Sequence, residues 1–318
     1  MELYLSSLSF TASITAPIFF IGFLGYLLKR VGLIDDAFIN TASKLVFMIT
    51  LPALVFMSIS RTDFHAVFNP EQLGFVLIGT LISFIALWFL AKRWIKQPED
   101  LGVFIQGAFR SNYGIIGLAV SYNLFSDSGL AQASLLLALV IPLFNVLSII
   151  ALTLPAKHQG GASIGSTVLE IVKNPLIIAV LLALPFSYFG FQLPEIAQKT
   201  GRYFANLTLP LALLAIGGSL NMKSLRSTSS QATWATLSKL LFIPLILTLA
   251  AWAYGFKGQD LTMLMVLFGC PTAAASFVMA KAMGGNEKLA ANIILMTTIG
   301  SILSLSAGIY IMRVTGVI

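Results

Sequence analysis

One apolar run of this chain contains an arginine, an asparagine and three glycines: Gln106-Gly107-Ala108-Phe109-Arg110-Ser111-Asn112-Tyr113-Gly114-Ile115-Ile116-Gly117. A charged side chain in such a run is costly against lipid and usually faces a cavity or a partner. Gly and Asn tolerate the backbone conformations that a local break in a helix requires. We therefore predict a membrane-embedded helix that is interrupted near Asn112.

The composition identifies a polytopic membrane protein. Of the 318 residues, 58% are hydrophobic and 10% are charged, and the mean hydropathy is +0.92. Soluble domains are about a quarter charged, so too few polar residues remain to cover a water-facing surface. The pI near 9.5 arises from basic residues that lie mostly in short loops, which favours membrane topology over nucleic-acid binding. The single cysteine, Cys270, excludes an internal disulfide.

Apolar runs long enough to cross lipid predict an all-α fold of ten transmembrane helices. Charges and turn residues separate these runs, as at Lys29-Arg30, Asn69-Pro70 and Ser126-Asp127-Ser128-Gly129. The predicted spans are 11–28, 38–59, 70–91, 101–124, 129–152, 172–189, 202–221, 232–254, 260–282 and 288–312.

The two halves of the chain repeat each other at a spacing of 158 to 159 residues. Pro17 recurs as Pro175, and Thr50-Leu51-Pro52 recurs as Thr208-Leu209-Pro210. Five spans in each half make the repeats inverted, because an odd number brings the second half into the membrane from the opposite side. The predicted domains are a first five-helix repeat (1–152), a cytoplasmic linker (153–171) and a second, inverted repeat (172–318).

Loop charge predicts the orientation. Loops and span ends on one side hold 11 basic residues, and the other side holds 5. By the positive-inside rule, both termini face out of the cytoplasm and the linker faces in. We expect a multi-pass protein of the cell inner (plasma) membrane.

A second interrupted span lies at the matching place in the other half, with the sequence Gly269-Cys270-Pro271-Thr272-Ala273-Ala274-Ala275-Ser276. Adding 159 to 112 gives 271, so Asn112 and Pro271 are equivalent positions. Proline removes a backbone donor and disrupts the preceding turn, and paired interruptions of this kind indicate a transporter's binding site. The half-helix after each break would present free N–H groups and a positive dipole end to an anion. The alternative is a pair of continuous helices that are kinked for packing.

Polar groups near the two breaks are the candidate substrate-binding residues: Arg110, Ser111, Asn112, Tyr113, Asn145, Pro271, Thr272 and Ser276. The breaks themselves are assigned to Asn112, Gly114, Gly117 and Pro271. Alternatively, Arg110 binds unwound carbonyls, and the hydroxyl and amide groups join helices as packing contacts. Lys44 and Lys239 lie near span ends and are expected to snorkel to the cytoplasmic surface. No metal site or cofactor is predicted.

Acidic residues indicate the sign of the substrate's charge. All twelve fall at predicted span ends or in loops. Proton and sodium antiport usually depends on a carboxylate buried at the membrane midplane. The predicted core instead contains cationic, hydroxyl and amide groups, which favours an anionic substrate.

The residues around both breaks resemble the auxin efflux carrier family. Residues 109–117 are similar to the Arg-x-Asn…Gly motif of its fourth helix, and Thr50-Leu51-Pro52 resembles its second. Pro271, the run 276–280 and Thr297-Thr298 resemble its ninth helix and the continuation. The resemblance covers essentially the whole chain. Where the family often has proline two residues after the motif's last glycine, this chain has Ala119.

The resemblance implies an inverted-repeat fold with crossover helices 4 and 9, like that of bile-acid symporters and sodium/proton antiporters. It also implies transport of organic anions: auxin in plants, and malate- or malonate-like acids in bacteria. Asn112 and Pro271 would mark the two crossovers.

The leading hypothesis is a secondary active transporter of small carboxylates that works by alternating access. A sodium/proton-type antiporter or a bile-acid-symporter-like carrier on the same fold is the alternative, followed by a channel or membrane sensor. The chain is not expected to be an enzyme. Its expected partners are a small organic anion and the lipid bilayer, without nucleic acid. Coupling to protons or sodium and a homodimer stay open.

Overall fold

The chain is all-helical across the part that the computed structural model describes, which comprises residues 2–61, 63, 68–155, 175–220 and 230–318. These residues form no β-strand, and their one isolated β-bridge joins Ser111 to Thr272. The all-α prediction is confirmed. The predicted linker, 153–171, lies mostly outside the described residues.

The described residues form twelve helical segments. They are α1 (Glu2–Arg30), α2 (Asp36–Ile59), α3 (Pro70–Ala91), α4 (Pro98–Phe109), α5 (113–124), α6 (127–153), α7 (Pro175–Phe189), α8 (Glu195–Ser219), α9 (Ser230–Tyr254), α10 (Gly258–Gly269), α11 (Ala275–Ala282) and α12 (Glu287–Val314).

Several helices begin where the sequence supplies a capping side chain. Asn69 caps α3 by accepting a hydrogen bond from the Gln72 N–H at 3.1 Å, and Pro70 occupies the first turn, where no donor is needed. Asn286 caps α12 in the same way through the Leu289 N–H, at 3.1 Å. These caps satisfy N–H groups that the helix itself leaves without partners.

Helices α5 and α6 are separated by a sharp break at Ser126. Its φ of 53° and ψ of −140° are non-helical, as are the angles of Phe125. A straight helix over all 41 residues from Tyr113 to Thr153 would be about 60 Å long, twice the thickness of a bilayer core. The predicted boundary at 126–129 is confirmed.

Six helices are long and apolar enough to cross a membrane when 113–153 is counted as one. Helices α4 and α10 have 12 residues each and are about 18 Å long, which is too short to cross alone. Each therefore needs the helix beyond its break to complete a crossing. Large apolar side chains such as Phe20, Phe89 and Leu303 are exposed, as expected of a surface that faces lipid.

The helices pack in two groups. The first group contains α1, α2, α7 and α8. The second group contains α3, α4, α6, α9, α10 and α12, which surround the non-helical segments that follow α4 and α10. Helices α1 and α8 touch through their backbones, because a Cβ on Gly217 would lie 1.7 Å from the Gly22 carbonyl oxygen. Only glycine permits this approach.

Two helices contain a π-helical turn just before a proline. In α2 the turn is Val46–Thr50, next to Pro52. In α9 it is Ser238–Phe242, next to Pro244. Such turns insert an extra residue and are frequent at functional sites. The turn in α9 contains Lys239.

Candidate functional site

Helix α4 ends at Phe109, and the chain continues in an extended form. Arg110 has φ −76° and ψ 112°, and Asn112 has φ −80° and ψ 49°. The chain then re-enters a helix through the π-helical turn Tyr113–Gly117. The break thus lies at 110–112, and Gly114 and Gly117 lie in the turn that follows it.

Helix α10 ends at Gly269 because of the proline two residues later. A proline disfavours the helical region for the residue before it, and Cys270 has φ −61° and ψ 147°. Pro271 also provides no N–H to continue the helical ladder. The chain becomes helical again at Ala275.

The two extended segments pair with each other. The Asn112 N–H donates to the Pro271 carbonyl at 2.7 Å, and the Ala273 N–H donates to the Arg110 carbonyl at 3.2 Å. Ser111 and Thr272 form the antiparallel bridge between these bonds. We call this pair of segments, 110–112 and 270–274, the crossover. Because the pairing is antiparallel, α4 and α10 approach it from opposite directions.

Thr272 holds the crossover to two neighbouring helices. Its hydroxyl donates to the Gly107 carbonyl at 2.6 Å, and its N–H donates to Thr297 Oγ1 at 3.1 Å. The Thr297 hydroxyl in turn donates to the Ile293 carbonyl. Thr272 therefore has a structural role, because its hydroxyl and its N–H both donate to groups of the protein.

Arg110 points away from the crossover toward α6. Its guanidinium donates to Asn145 Oδ1 at 2.9 Å and to Ser148 Oγ at 3.1 Å, and it contacts the sulfur of Met279. The residue is only 8% exposed. Its polar partners are side chains rather than unwound carbonyls, and none of them is charged.

Lys239 is buried beside the crossover, so the prediction that it snorkels to the surface is wrong. Its exposure is 0%. The ammonium donates to Ser111 Oγ at 2.6 Å and to the Phe268 carbonyl at 2.7 Å. Oxygen acceptors at the end of α10 thus replace water as its partners. Lys44, by contrast, is exposed.

Two predicted site residues bring polar groups that the described residues leave without a partner, and a third is closely packed. The Asn112 side chain makes no hydrogen bond to the described residues, although Asn112 is buried. The Ser276 hydroxyl is buried and has no partner among them. The Tyr113 ring is fully buried against Gly117, where a Cβ would lie 2.1 Å from Tyr113 Cδ2. Gly117 is therefore needed to seat this ring.

Of the predicted site residues, Arg110, Ser111, Asn112, Pro271 and Thr272 belong to the crossover itself. Asn145 reaches it only through Arg110. Ser276 lies in the first turn of α11, and its N–H donates to the Ala273 carbonyl.

Two carboxylates at the outer ends of α4 and α10 bind amide side chains across the core. Asp260 accepts from Asn69 at 2.9 Å and also from Gln132. Asp100 accepts from Asn286 at 2.7 Å and from Gln231 at 3.0 Å. Sequence reasoning placed both acids at span ends and missed their partners.

Crossed half-helices in an apolar helical protein are typical of membrane transport proteins. The comparisons with known proteins agree, because a family model described as "Membrane transport protein" matches residues 12–309. The chain belongs to this family, the auxin efflux carrier family.

Three relatives illustrate the range of this family. An uncharacterized transporter of Methanothermobacter thermautotrophicus is 26% identical over 89% of this chain and 92% of its own length. A putative malonate transporter of Rhizobium meliloti is 25% identical over 93% of this chain and 94% of its own length. Auxin efflux carrier component 7 of Arabidopsis thaliana is 26% identical over 41% of this chain and 23% of its own length.

Proposed function

We propose that this chain is a secondary active transporter of small organic anions that works by alternating access around the crossover. In this proposal, ten spans form two inverted five-helix repeats, 1–152 and 172–318, with the linker 153–171 between them. The antiparallel pairing of 110–112 with 270–274 supports that symmetry, because it brings the equivalent residues Asn112 and Pro271 into direct contact. Broken helices that meet inside the protein are the usual substrate site of such carriers.

The observation on which the proposal chiefly depends is the charge of the crossover. Helices α5 and α11 begin there with positive dipole ends and α4 and α10 end there with negative ones, so the net charge comes from the side chains. Arg110 and Lys239 add two buried cations, and no carboxylate of the described residues forms an ion pair with either. A buried positive region of this kind binds anions and disfavours cations.

The residues have separate roles in this proposal. The Asn112 carboxamide and the Ser276 hydroxyl contact the substrate, because both are buried at the crossover and have no partner among the described residues. Arg110 supplies positive charge and is oriented by Asn145 and Ser148. Thr272 fixes the geometry of the crossover.

The names of two relatives support a carboxylate as the anion. One is a putative malonate transporter and the other an auxin efflux carrier component, and both names describe the transport of organic acids. We propose malate, malonate or auxin-like acids as the substrate range.

Alternating access requires one part of the protein to move against another. In this proposal, the group formed by α1, α2, α7 and α8 stays fixed in the membrane. Its rigidity is supported by the backbone contact of Gly217 with Gly22. The other group moves as a unit, since Thr272 and the two carboxylates join its helices. In this proposal both termini lie outside the cytoplasm of an inner-membrane protein, which the loop charge favours. A homodimer and coupling to protons or sodium stay predictions.

Uptake of labelled malonate into proteoliposomes tests the proposal. Saturable uptake that is accelerated by unlabelled malonate inside the vesicles would support a carrier, whereas uptake without such counter-stimulation would contradict it. Asn112→Ala should lower the initial rate by about tenfold, since a lost buried hydrogen bond to a charged group costs on the order of 1.5 kcal/mol. Asn40→Ala, at an exposed asparagine of α2, is the matched control.

A further inference from the structure

Lys239 and Arg110 are the two buried cations of the described residues. Both lie next to Ser111. Arg110 precedes Ser111 in the chain, and the Lys239 ammonium is 2.6 Å from its hydroxyl oxygen. The residue that follows Ser111 is Asn112, whose carboxamide is free to bind a ligand. Both cations are therefore close to the same short segment.

The bonds of Lys239 show how its position is fixed. It donates to the Phe268 carbonyl, which lies in the last turn of α10, where helix carbonyls have no internal partners and the dipole end is negative. The Ser111 hydroxyl donates its own hydrogen to the Leu267 carbonyl at 2.6 Å. Its lone pairs are thus directed to the lysine. A basic side chain is thus held between Ser111 and the end of α10.

The charge of these two residues is not balanced within the described residues. The polar partners of Arg110 are Asn145 and Ser148, those of Lys239 are Ser111 and a carbonyl, and all of them are neutral. Uncompensated charges that are removed from water are costly. A ligand with two negative charges lowers this cost more than a ligand with one.

We propose that Lys239 is the second fixed positive charge of the transport site and makes it selective for dicarboxylates over monocarboxylates. This inference rests on the proposed function. The ammonium of Lys239 binds Ser111 and the Phe268 carbonyl, and we assign it no direct contact with the substrate. It is a positioning residue that acts through Ser111 and through its field, which is strong where water is excluded.

The test compares malonate with its monomethyl ester, which has nearly the same shape and one charge fewer. Both are used as competitors of labelled malonate uptake in proteoliposomes, at a pH above the second ionisation of malonate. In the wild type, the inhibition constant of the half-ester should be about tenfold higher than that of malonate, because the half-ester lacks one charge interaction in the buried site. Equal competition by the two compounds would overturn the proposal without any variant.

Lys239→Gln should bring the ratio of the two inhibition constants close to one, and Lys239→Arg should restore most of the wild-type ratio. Lys44→Gln, at an exposed lysine of α2, is the matched control and should leave the ratio unchanged. A merely structural role for Lys239 would slow uptake of all substrates alike and leave the ratio at its wild-type value, which would contradict the proposal. If Lys239→Gln is not monodisperse, Lys239→Met replaces it.

Two further outcomes separate this inference from the proposed function. If the wild type takes up monocarboxylates and malonate with equal Michaelis constants, the inference is refuted and the proposed anion carrier is retained. A wild type that takes up no carboxylate refutes the proposed function and the inference together.

Discussion

The backbone N–H of Asn112 donates to the carbonyl oxygen of Pro271 at 2.7 Å, although the two residues are 159 positions apart. They occupy equivalent places in the two halves of the chain, so the repeat in the sequence is also a contact in space. Each residue ends a stretch of helix for its own reason. Proline cannot continue the ladder, and asparagine tolerates backbone outside the helical region.

Replacing Pro271 by alanine should weaken the crossover. The change restores an N–H and frees Cys270 to become helical, and it also returns conformational freedom to the unfolded chain. We expect a loss of about 1 kcal/mol in the free energy of unfolding, read as a lower midpoint of thermal unfolding in detergent. Pro210→Ala, within continuous helix α8, should act in the opposite direction because it completes a helical ladder. Stabilisation by both changes would show that Pro271 does not set the break.

Replacing Thr272 by valine should destabilise the core at nearly constant volume. The variant loses the hydrogen bond to the Gly107 carbonyl and leaves that buried oxygen with fewer donors, at a cost of about 1.5 kcal/mol. Thr272→Ser should retain most of the stability. The matched control is Thr236→Val, because the Thr236 hydroxyl donates only to the Ala232 carbonyl one turn earlier in its own helix. Thermal unfolding of the purified variants measures the difference, and equal losses at 236 and 272 would argue against a special role for Thr272.

Replacing Gly117 by alanine should force the Tyr113 ring out of its place. The new Cβ would lie 2.1 Å from the ring, and overpacking of this kind costs about 2 kcal/mol. The double variant Gly117→Ala, Tyr113→Leu should recover part of the loss, with a coupling energy of about 1 kcal/mol. Gly74→Ala, where a Cβ meets no atom within 4 Å, is the control. If the free-energy changes of the two single variants simply add in the double variant, the ring does not contact residue 117.

Replacing Asp260 by asparagine should disturb the amide cluster at the outer end of α10. An amide donor would then face the donors of Asn69 and Gln132, and the loss of buried charged hydrogen bonds costs about 2 kcal/mol. Asp100→Asn should behave alike, since Asn286 and Gln231 donate to that carboxylate.

The control for both aspartates is Asp127→Asn. Asp127 is largely exposed and lies 3.9 Å from Arg61, and such surface pairs contribute little. Thermal unfolding midpoints of the three variants provide the comparison. A shift at 127 as large as those at 100 and 260 would indicate a general effect of removing negative charge.

The sequence predicted those features that depend on local chemistry. Pro271 favours a helix end just before it, because it offers no N–H and crowds the preceding residue, and the matching break in the other half made this one visible without a structure. The capping asparagines, Asn69 and Asn286, likewise mark helix starts by their own side chains. The helical class followed from composition alone.

Features that depend on distant partners were missed. Lys239 was expected to snorkel because it is close to a predicted span end, but its acceptors at Ser111 and Phe268 belong to other helices. The Asp260 cluster joins residues as far apart as Asn69, and no spacing rule connects them. The local feature at Lys239 is a π-helical turn, Ser238–Phe242, that precedes Pro244.

The crossover is joined by main-chain atoms, and main-chain atoms are the same in every residue that is not proline. The donors at 112 and 273 and the acceptors at 110 and 271 would persist if the side chain of residue 112 changed. Evolution can therefore retune the ligand preference of such a carrier by single substitutions while the path of its backbone is inherited intact. A common scaffold for chemically different cargoes is the expected result.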